Sequence, residues 1–251
     1  MNLGRLILRQ VRYENRDFWR SPESAFFYFA FPLVFMLTMN LVVSAAFTGE
    51  SGRLMAFYTP AYIVFGVVMA TFTALAMTVA IARDEGLLKR VHGSPMPTWA
   101  YLSARVVYAV LLALVLALLM ATIGALLFGV GVPTGSIPLA VAVVALGAAC
   151  FTALGLAIGG LVPSAQSAPV IVNGVILPLL FISNVFIEIE DGILVTISGL
   201  FPVRHFADAL QAVYHPDVAG PLDPVDLIWL AGWGLAALLL AWRTFSWEPR
   251  V

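Results

Sequence analysis

The most constraining feature of the sequence is a run of 82 residues, from Val106 to Ile187, that contains no charged side chain. A water-soluble domain cannot cover its surface in this way, because about a quarter of the residues of an average soluble protein are charged. Over the whole chain only 11% of the residues are charged, and 61% are hydrophobic. The run is also several times longer than the ~20 residues that cross a hydrocarbon core. The sequence therefore predicts a protein that crosses a membrane several times.

Turn-forming residues divide this run and give the number of spans. Glycines and prolines between residues 129 and 138 interrupt it once, and the segment from Pro163 to Pro169 interrupts it again. A chain in lipid must satisfy its backbone hydrogen bonds internally, which favours helices. We therefore predict one all-α transmembrane domain over residues 1–251. Its six spans lie near residues 24–48, 54–82, 105–128, 139–162, 169–187 and 225–243.

The positions of lysine and arginine indicate the orientation of the spans. With six spans, both ends of the chain lie on one side of the membrane, and that side receives 11 of the 13 basic residues. Only Arg53 and Arg204 lie on the other side. Because short cytoplasmic loops carry an excess of lysine and arginine, we predict that both termini are cytoplasmic.

Residues 1–23 form a polar leader with a helical pattern of arginines. The arginines recur at steps of four or three and fall within about 80° of one another on a helical wheel. They are Arg5, Arg9, Arg12, Arg16 and Arg20. This pattern is typical of an amphipathic helix that lies along a membrane surface and attracts anionic lipid. The alternative is a topology signal without a further role.

The loop after the second span is the most distinctive charged segment. Glu85 and Lys89 are spaced i, i+4, which supports a short helix, and the prolines that follow end it. From the residues alone, this element is either a docking site for a soluble partner or a solvated loop.

The segments around this loop closely resemble type 2 ATP-binding-cassette exporter permeases. The similar residues are 73–78, 83–90, 93–97, 99–102, 181–187 and 199–210. The resemblance implies that the loop holds a coupling helix that sits in a groove of a separate ATPase subunit. It also implies short re-entrant helices on the outer face, within residues 188–224. Glu188 to Asp191 depart from the family pattern and leave the shape of that segment open.

The resemblance also implies residues and partners for the coupling. The ATPase-facing residues on the loop would be Arg83, Asp84, Glu85, Gly86, Lys89, Arg90, Ser94 and Pro95. A second, smaller contact would involve Ser164, Ala165 and Gln166. The implied partners are two ATPase subunits, which hold ATP and magnesium, and a second permease subunit, either identical or paralogous. The implied location is a bacterial cytoplasmic membrane.

Several chemical signatures are missing from the sequence. It has no P-loop motif, no H-E-x-x-H motif and a single cysteine, Cys150. We therefore expect no catalytic residue, cofactor or metal on this chain, and no nucleic-acid partner. His205 and His215 could bind a metal, but interfacial polar roles are favoured. The alternative class, an ion-coupled secondary transporter, is disfavoured because the 82-residue run has no ionisable side chain.

The apolar spans and short outer loops favour export of a drug-like or lipid-like amphiphile. The alternative substrate is a lipid-linked polysaccharide, which would require aromatic side chains along its route. Candidate residues on the route, for which ordinary packing is the competing interpretation, are Phe65, Met69, Phe72, Asn173, Phe181 and Asn184. We expect the pair Gly155 and Gly159 to allow close helix packing within the chain.

Overall fold

The computed structural model describes residues 3–47, 51–87, 98–186 and 192–244, and every regular element in these ranges is helical. In chain order the helices are α1 (Leu3–Arg20), α2 (Phe26–Ala46), α3 (Leu54–Asp84), α4 (Thr98–Phe128), α5 (Ile137–Leu161), α6 (Ala168–Ile182), α7 (Ile193–Ser198), α8 (Pro202–Tyr214) and α9 (Pro224–Thr244). Single turns at Pro22–Ala25, Thr134–Ser136 and Pro216–Ala219 join some of them.

Within the described residues, five helices are long and apolar enough to cross a membrane. They are α2, α3, α4, α5 and α9, and they match five of the six predicted spans. The helix at the remaining predicted span, α6, has 15 residues and is therefore about 22 Å long, which is short of a ~30 Å hydrocarbon core. It stops at Ile182 rather than continuing to residue 187, and Asn184 then adopts a left-handed backbone conformation with φ 56°. The span predicted near 169–187 is therefore longer than the helix that the structure shows.

Helices α3 and α5 form the centre of the bundle. The most apolar window of α3 is 72% buried and that of α5 is 61% buried, whereas no other span exceeds 33%. Two glycines of α5 permit this central contact. A Cβ atom at Gly155 would lie 2.8 Å from the Phe72 carbonyl oxygen, and one at Gly159 would lie 2.8 Å from that of Ala76. The expectation that this glycine pair serves packing within the chain is confirmed.

The bundle has two ends with different polar groups, which we call the Arg83 end and the His205 end. At the Arg83 end, the last turns of α3, α5 and α9 pack against the first turn of α4. The buried residues there include Val79, Ala82, Tyr101, Leu102, Ala157 and Ala237. At the His205 end, α8 binds the start of α3, where the Gln211 side-chain amide donates to the Phe57 carbonyl over 2.7 Å.

Helix α4 begins earlier than the predicted residue 105. Arg105 marked the predicted boundary because a charge is costly in lipid. In the structure its Nε lies 3.3 Å from the Glu14 carboxylate of α1, and its guanidinium lies 5.1 Å from the ring centre of Tyr101. The charge is thereby compensated inside the protein, and the helix continues through it.

Candidate functional site

The predicted coupling loop leaves α3 through a sharp turn at Gly86. The Glu85 amide donates to the Ile81 carbonyl over 3.0 Å, and Gly86 has a φ of +70°. A left-handed residue just after the last helical turn is a common helix stop, and glycine adopts it without a steric penalty. Glu85 lies in this turn, and its predicted helical pairing with Lys89 stays a prediction. Lys89, Arg90, Ser94 and Pro95 lie outside the described residues.

The acidic residues at this turn face outward and the arginine faces inward. Asp84 and Glu85 are exposed, whereas Arg83 is fully buried. The guanidinium of Arg83, which the resemblance placed among the ATPase-facing residues, donates to backbone carbonyls at the end of α5. In this structure Arg83 therefore lies behind the exposed surface rather than on it.

The second predicted contact, at residues 164–166, lies directly beside the first. The Ala165 amide donates to the Asp84 carboxylate over 2.6 Å. The turn itself is held by Ser164 and Ser167, whose hydroxyls lie 3.1 Å apart and each of which accepts a hydrogen bond from the other's backbone amide. Gln166 is exposed. Two segments about 80 residues apart in the sequence thus present Asp84, Glu85 and Gln166 on one surface.

Helix α1 packs along the start of α4 and leaves its arginines accessible. Arg9, Arg12, Arg16 and Arg20 are exposed, and the side chain of Arg5 lies outside the described set. The ring of Phe18 packs edge-on against Tyr28 and Tyr108, with centroid distances of 5.4 and 6.3 Å. This contact joins α1 to α2 and α4.

An apolar groove runs between α1, α2 and α4. Its volume is about 620 Å³, and Arg12 and Asn15 supply polar groups on its α1 side. The remaining lining is almost entirely apolar and includes Trp19, Phe29, Leu111 and Leu119.

The candidate substrate-path residues do not come together in one site. Phe65 is buried in an aromatic cluster in which its ring centre lies 4.6 Å from that of Phe35 and 5.4 Å from that of Phe186. Phe181 joins the same cluster through Phe186, at 4.9 Å. Sequence reasoning did not select Phe35 or Phe186, and only their aromatic character could have indicated them.

Two other candidates, Met69 and Phe72, lie in a π-helical segment of α3, Met69–Thr73. Such wide turns often occur at functional sites. Here the segment faces α5, because Phe72 is buried beside Gly155. Asn173 is half-buried on α6, and Asn184 donates to the Asp208 carboxylate over 3.0 Å at the His205 end.

The His205 end holds a polar cluster that sequence reasoning did not predict. Arg204 pairs with Asp208 at 3.2 Å and donates to the Ser198 hydroxyl at 3.0 Å. The ring of His205 lies 2.7 Å from the Asp226 carboxylate and 2.8 Å from the Gly199 carbonyl oxygen. Burial opposes the charged ring, but these two hydrogen bonds outweigh it and raise the pKa of His205 above its usual range.

The second histidine considered as a metal ligand, His215, has a different partner. Its Nε2 lies 2.8 Å from the Ala56 carbonyl oxygen. The two histidines thus bind separate elements of the fold.

Long apolar helices, with charged groups concentrated at the two ends of the bundle, define a multi-pass membrane protein. Comparison with protein families gives the particular class. Residues 5–215 match the ABC-2 type transporter family. Because the match covers most of the chain, the protein belongs to this family, whose members are transmembrane subunits of ABC transporters and not ATPases.

Two curated proteins with similar sequences are named as probable ABC transporter permeases, in agreement with the family match. The probable multidrug ABC transporter permease YbhR of Escherichia coli strain K12 is 24% identical over 185 residues, which cover 72% of this chain. The protein of the same name in Escherichia coli O157:H7 gives the same values. The aligned part is 48% of each relative, so the chain spans about half the length of the curated proteins that it matches.

Proposed function

We propose that the chain is the permease subunit of an ATP-driven exporter and that a separate ATPase docks at the surface formed by Asp84, Glu85 and residues 164–166. The observation that carries this proposal is the hydrogen bond between Asp84 and Ala165, because it joins the two segments that the family resemblance assigns to ATPase contact. Two permease subunits pair above two ATPase subunits, which bind ATP and magnesium. Arg83 is buried behind this surface and does not contact the ATPase in this proposal.

The Arg83 end is cytoplasmic in this proposal, and the membrane is a bacterial cytoplasmic membrane. The positions of the helix ends support an even number of crossings. Helix α1 and the end of α9 both lie at the Arg83 end, so the first and last described helices reach the same side. Helix α6 supplies the sixth crossing, because it starts beside Ala165 and leads to Asn184, which binds α8 at the other end.

Helix α1 braces the subunit at the cytoplasmic membrane surface. Its exposed arginines attract anionic lipid headgroups, each with about 1 kcal/mol near a charged membrane. The groove between α1, α2 and α4 continues this surface toward the interior of the bilayer and provides apolar contact for a lipid chain.

The substrate is an amphiphilic drug-like or lipid-like molecule. The name of the multidrug permease relative supports this class. So does the aromatic cluster around Phe65, whose rings pack on one another inside the subunit and leave few faces on which sugars could stack. Phe181, with 52% of its surface exposed, is the aromatic of this cluster best placed to contact a substrate. Export of a lipid-linked polysaccharide is the alternative.

The docking assignment is tested with Glu85→Ala, in cells and in purified complex. We expect the variant to insert into the membrane at normal levels and to lose both the co-purifying ATPase and export of the amphiphilic dye Hoechst 33342. The matched control is Asp217→Ala, which removes an exposed acid elsewhere on the chain. If Glu85→Ala retains both ATPase and export, the docking assignment is wrong. If export continues when the ATPase is inactivated, the chain is an ATP-independent transporter instead.

A further inference from the structure

The guanidinium of Arg83 caps the carboxyl end of α5. Its Nη1 donates to the Gly160 carbonyl oxygen over 3.1 Å and lies 3.4 Å from that of Gly159. Its Nη2 donates to the Val162 and Pro163 carbonyl oxygens over 2.6 and 3.2 Å. The last carbonyls of a helix have no partner within the helix and carry the negative end of its dipole. A cation with several donors satisfies both requirements at once.

Asp84 connects the end of α3 to the turn that precedes α6. One of its carboxylate oxygens accepts from the Ala165 amide over 2.6 Å, and the other lies 3.6 Å from Nη2 of Arg83. We call Arg83 and Asp84, with the carbonyls of residues 159–163 and the amide of Ala165, the Arg83 joint. Two consecutive residues of α3 thus hold both the end of α5 and the turn that starts α6.

Packing stability alone does not require an arginine at this position. Helices α3 and α5 already contact each other closely through Gly155 and Gly159. A fully buried guanidinium is expensive to desolvate, and apolar replacements of buried ion pairs are often equally stable. Within the described residues, Nε of Arg83 also lacks a hydrogen-bond acceptor, which adds to that cost. The arginine instead fixes the relative orientation of two segments, because its planar donors hold the last turn of α3 against the turn at 162–167.

We propose that Arg83 and Asp84 are positioning residues that make the end of α3, the end of α5 and the 162–167 turn move as one unit. A displacement of the loop after α3 then reaches α6, which begins at Ala168, without any contact between the ATPase and that helix. The transmission of ATPase movement rests on the proposed function, whereas the existence of the joint does not. Neither residue touches substrate in this account.

The joint itself is measured on the purified permease without any ATPase. Spin labels at Glu85 and Gln166, in a Cys150→Ala background, report the distance between the two loops by pulsed electron paramagnetic resonance. We expect a narrow distance distribution that broadens in Arg83→Ala and in Asp84→Ala and stays narrower in Arg83→Lys, which keeps a cation. The control is Arg204→Ala, which removes an arginine paired at the opposite end and should leave the distribution unchanged.

The same variants are then compared for coupling in the complex with the ATPase. We expect Arg83→Ala to retain the bound ATPase and its ATP hydrolysis but to lower export of Hoechst 33342 roughly tenfold, with partial recovery in Arg83→Lys. A merely structural role would lower ATPase binding and export together. The proposal is overturned if Arg83→Ala leaves the distance distribution narrow, or if export per ATP hydrolysed stays normal. Failure of the wild-type chain to bind an ATPase would instead refute the proposed function and leave the distance result standing.

Discussion

The hydrogen-bond contacts of His205 favour the protonated form of its ring. Its two ring nitrogens face the Asp226 carboxylate and the Gly199 carbonyl, and an ionised carboxylate and a carbonyl oxygen can only accept hydrogen bonds. Both contacts are satisfied when both nitrogens donate, so the surroundings favour the protonated ring and raise the pKa of His205. The ring also stacks on Trp229, with the planes 5° apart, and this contact favours a cation. His205 thereby ties α8 to the start of α9.

This geometry predicts that the stability of the protein depends on pH. A histidine whose pKa is raised on folding stabilises the fold fully below its ordinary pKa of about 6.5, and this contribution is lost as the pH rises through the raised value. We expect the melting temperature of the purified protein to fall with increasing pH across that window. Scanning fluorimetry at several pH values measures the effect.

Histidine variants identify the group responsible for this slope. The variant His205→Ala should flatten the pH dependence of the melting temperature. The variant His215→Ala is the matched control, because it removes the other histidine of this end, whose Nε2 lies 2.8 Å from the Ala56 carbonyl oxygen. Arg204 and Asp208, the other charged groups of the cluster, are present in both variants. An unchanged pH slope in His205→Ala would contradict the charge assignment.

At the scale of helices, α3 and α5 form the central pair, which links the two ends of the bundle. Helix α3 begins at α8 and ends at the Arg83 joint, so it connects the polar groups of both ends. Its π-helical segment Met69–Thr73 lies between these contacts and ends just before Ala76 meets Gly159. A wide turn beside a close backbone contact is a point where the helix can change its path.

The variant Gly159→Ala tests how tightly this pair is packed. Its Cβ atom would lie 2.8 Å from the Ala76 carbonyl oxygen and 3.0 Å from the Ala76 Cα, and backbone atoms cannot rotate away. We expect a loss of about 1–3 kcal/mol from overpacking. The matched control is Gly232→Ala, where no atom lies within 4 Å and the alanine should stabilise the helix by up to about 1 kcal/mol. A gain of stability in both variants, measured by thermal unfolding, would show that the helices are looser than described.

The spans could be predicted from the sequence because apolar length is a local property. The predicted range 54–82 corresponds to Leu54–Asp84, and the glycine pair Gly155 and Gly159 indicated close packing before its partner was known. Helix α6 was misjudged because hydropathy does not reveal where a helix stops, whereas Asn184, in a left-handed conformation, lies beyond its end.

The Arg83 joint could not be predicted in the same way. Arg83 and its acceptors are separated by 76 to 80 residues, and no periodicity connects them. Arg83 therefore looked like one more basic residue of an exposed loop. The pairing of Glu14 with Arg105 could not be predicted either, because these residues are also far apart in the sequence.

For the whole molecule, the proposed function requires that the Arg83 end lies in the cytoplasm and the His205 end lies outside. The exposed arginines of α1 and the acidic surface at Asp84 and Glu85 then face the cytoplasm, whereas Ile193 and the helices α7 and α8 face the exterior. In this arrangement the ATPase and the membrane surface act on the same end of the bundle.

Cysteine labelling in intact cells tests this orientation. In a Cys150→Ala background, a membrane-impermeant maleimide should label a cysteine at Ile193, which is 75% exposed. A cysteine at Glu85 should react only after the membrane is permeabilised. Labelling of Glu85→Cys in intact cells would show the opposite orientation and rule out the proposed docking surface.

The central claim is that an ATPase binds beside Asp84 and Glu85, and site-specific photo-cross-linking in native membranes measures this directly. A photoreactive amino acid replaces Glu85 in one variant and Ile193 in another, and the cross-linked partners are identified by mass spectrometry. We predict a covalent adduct with a P-loop ATPase from position 85 and none from position 193. Reaction at position 85 with lipid or water alone, in membranes that contain an active exporter complex, would contradict it.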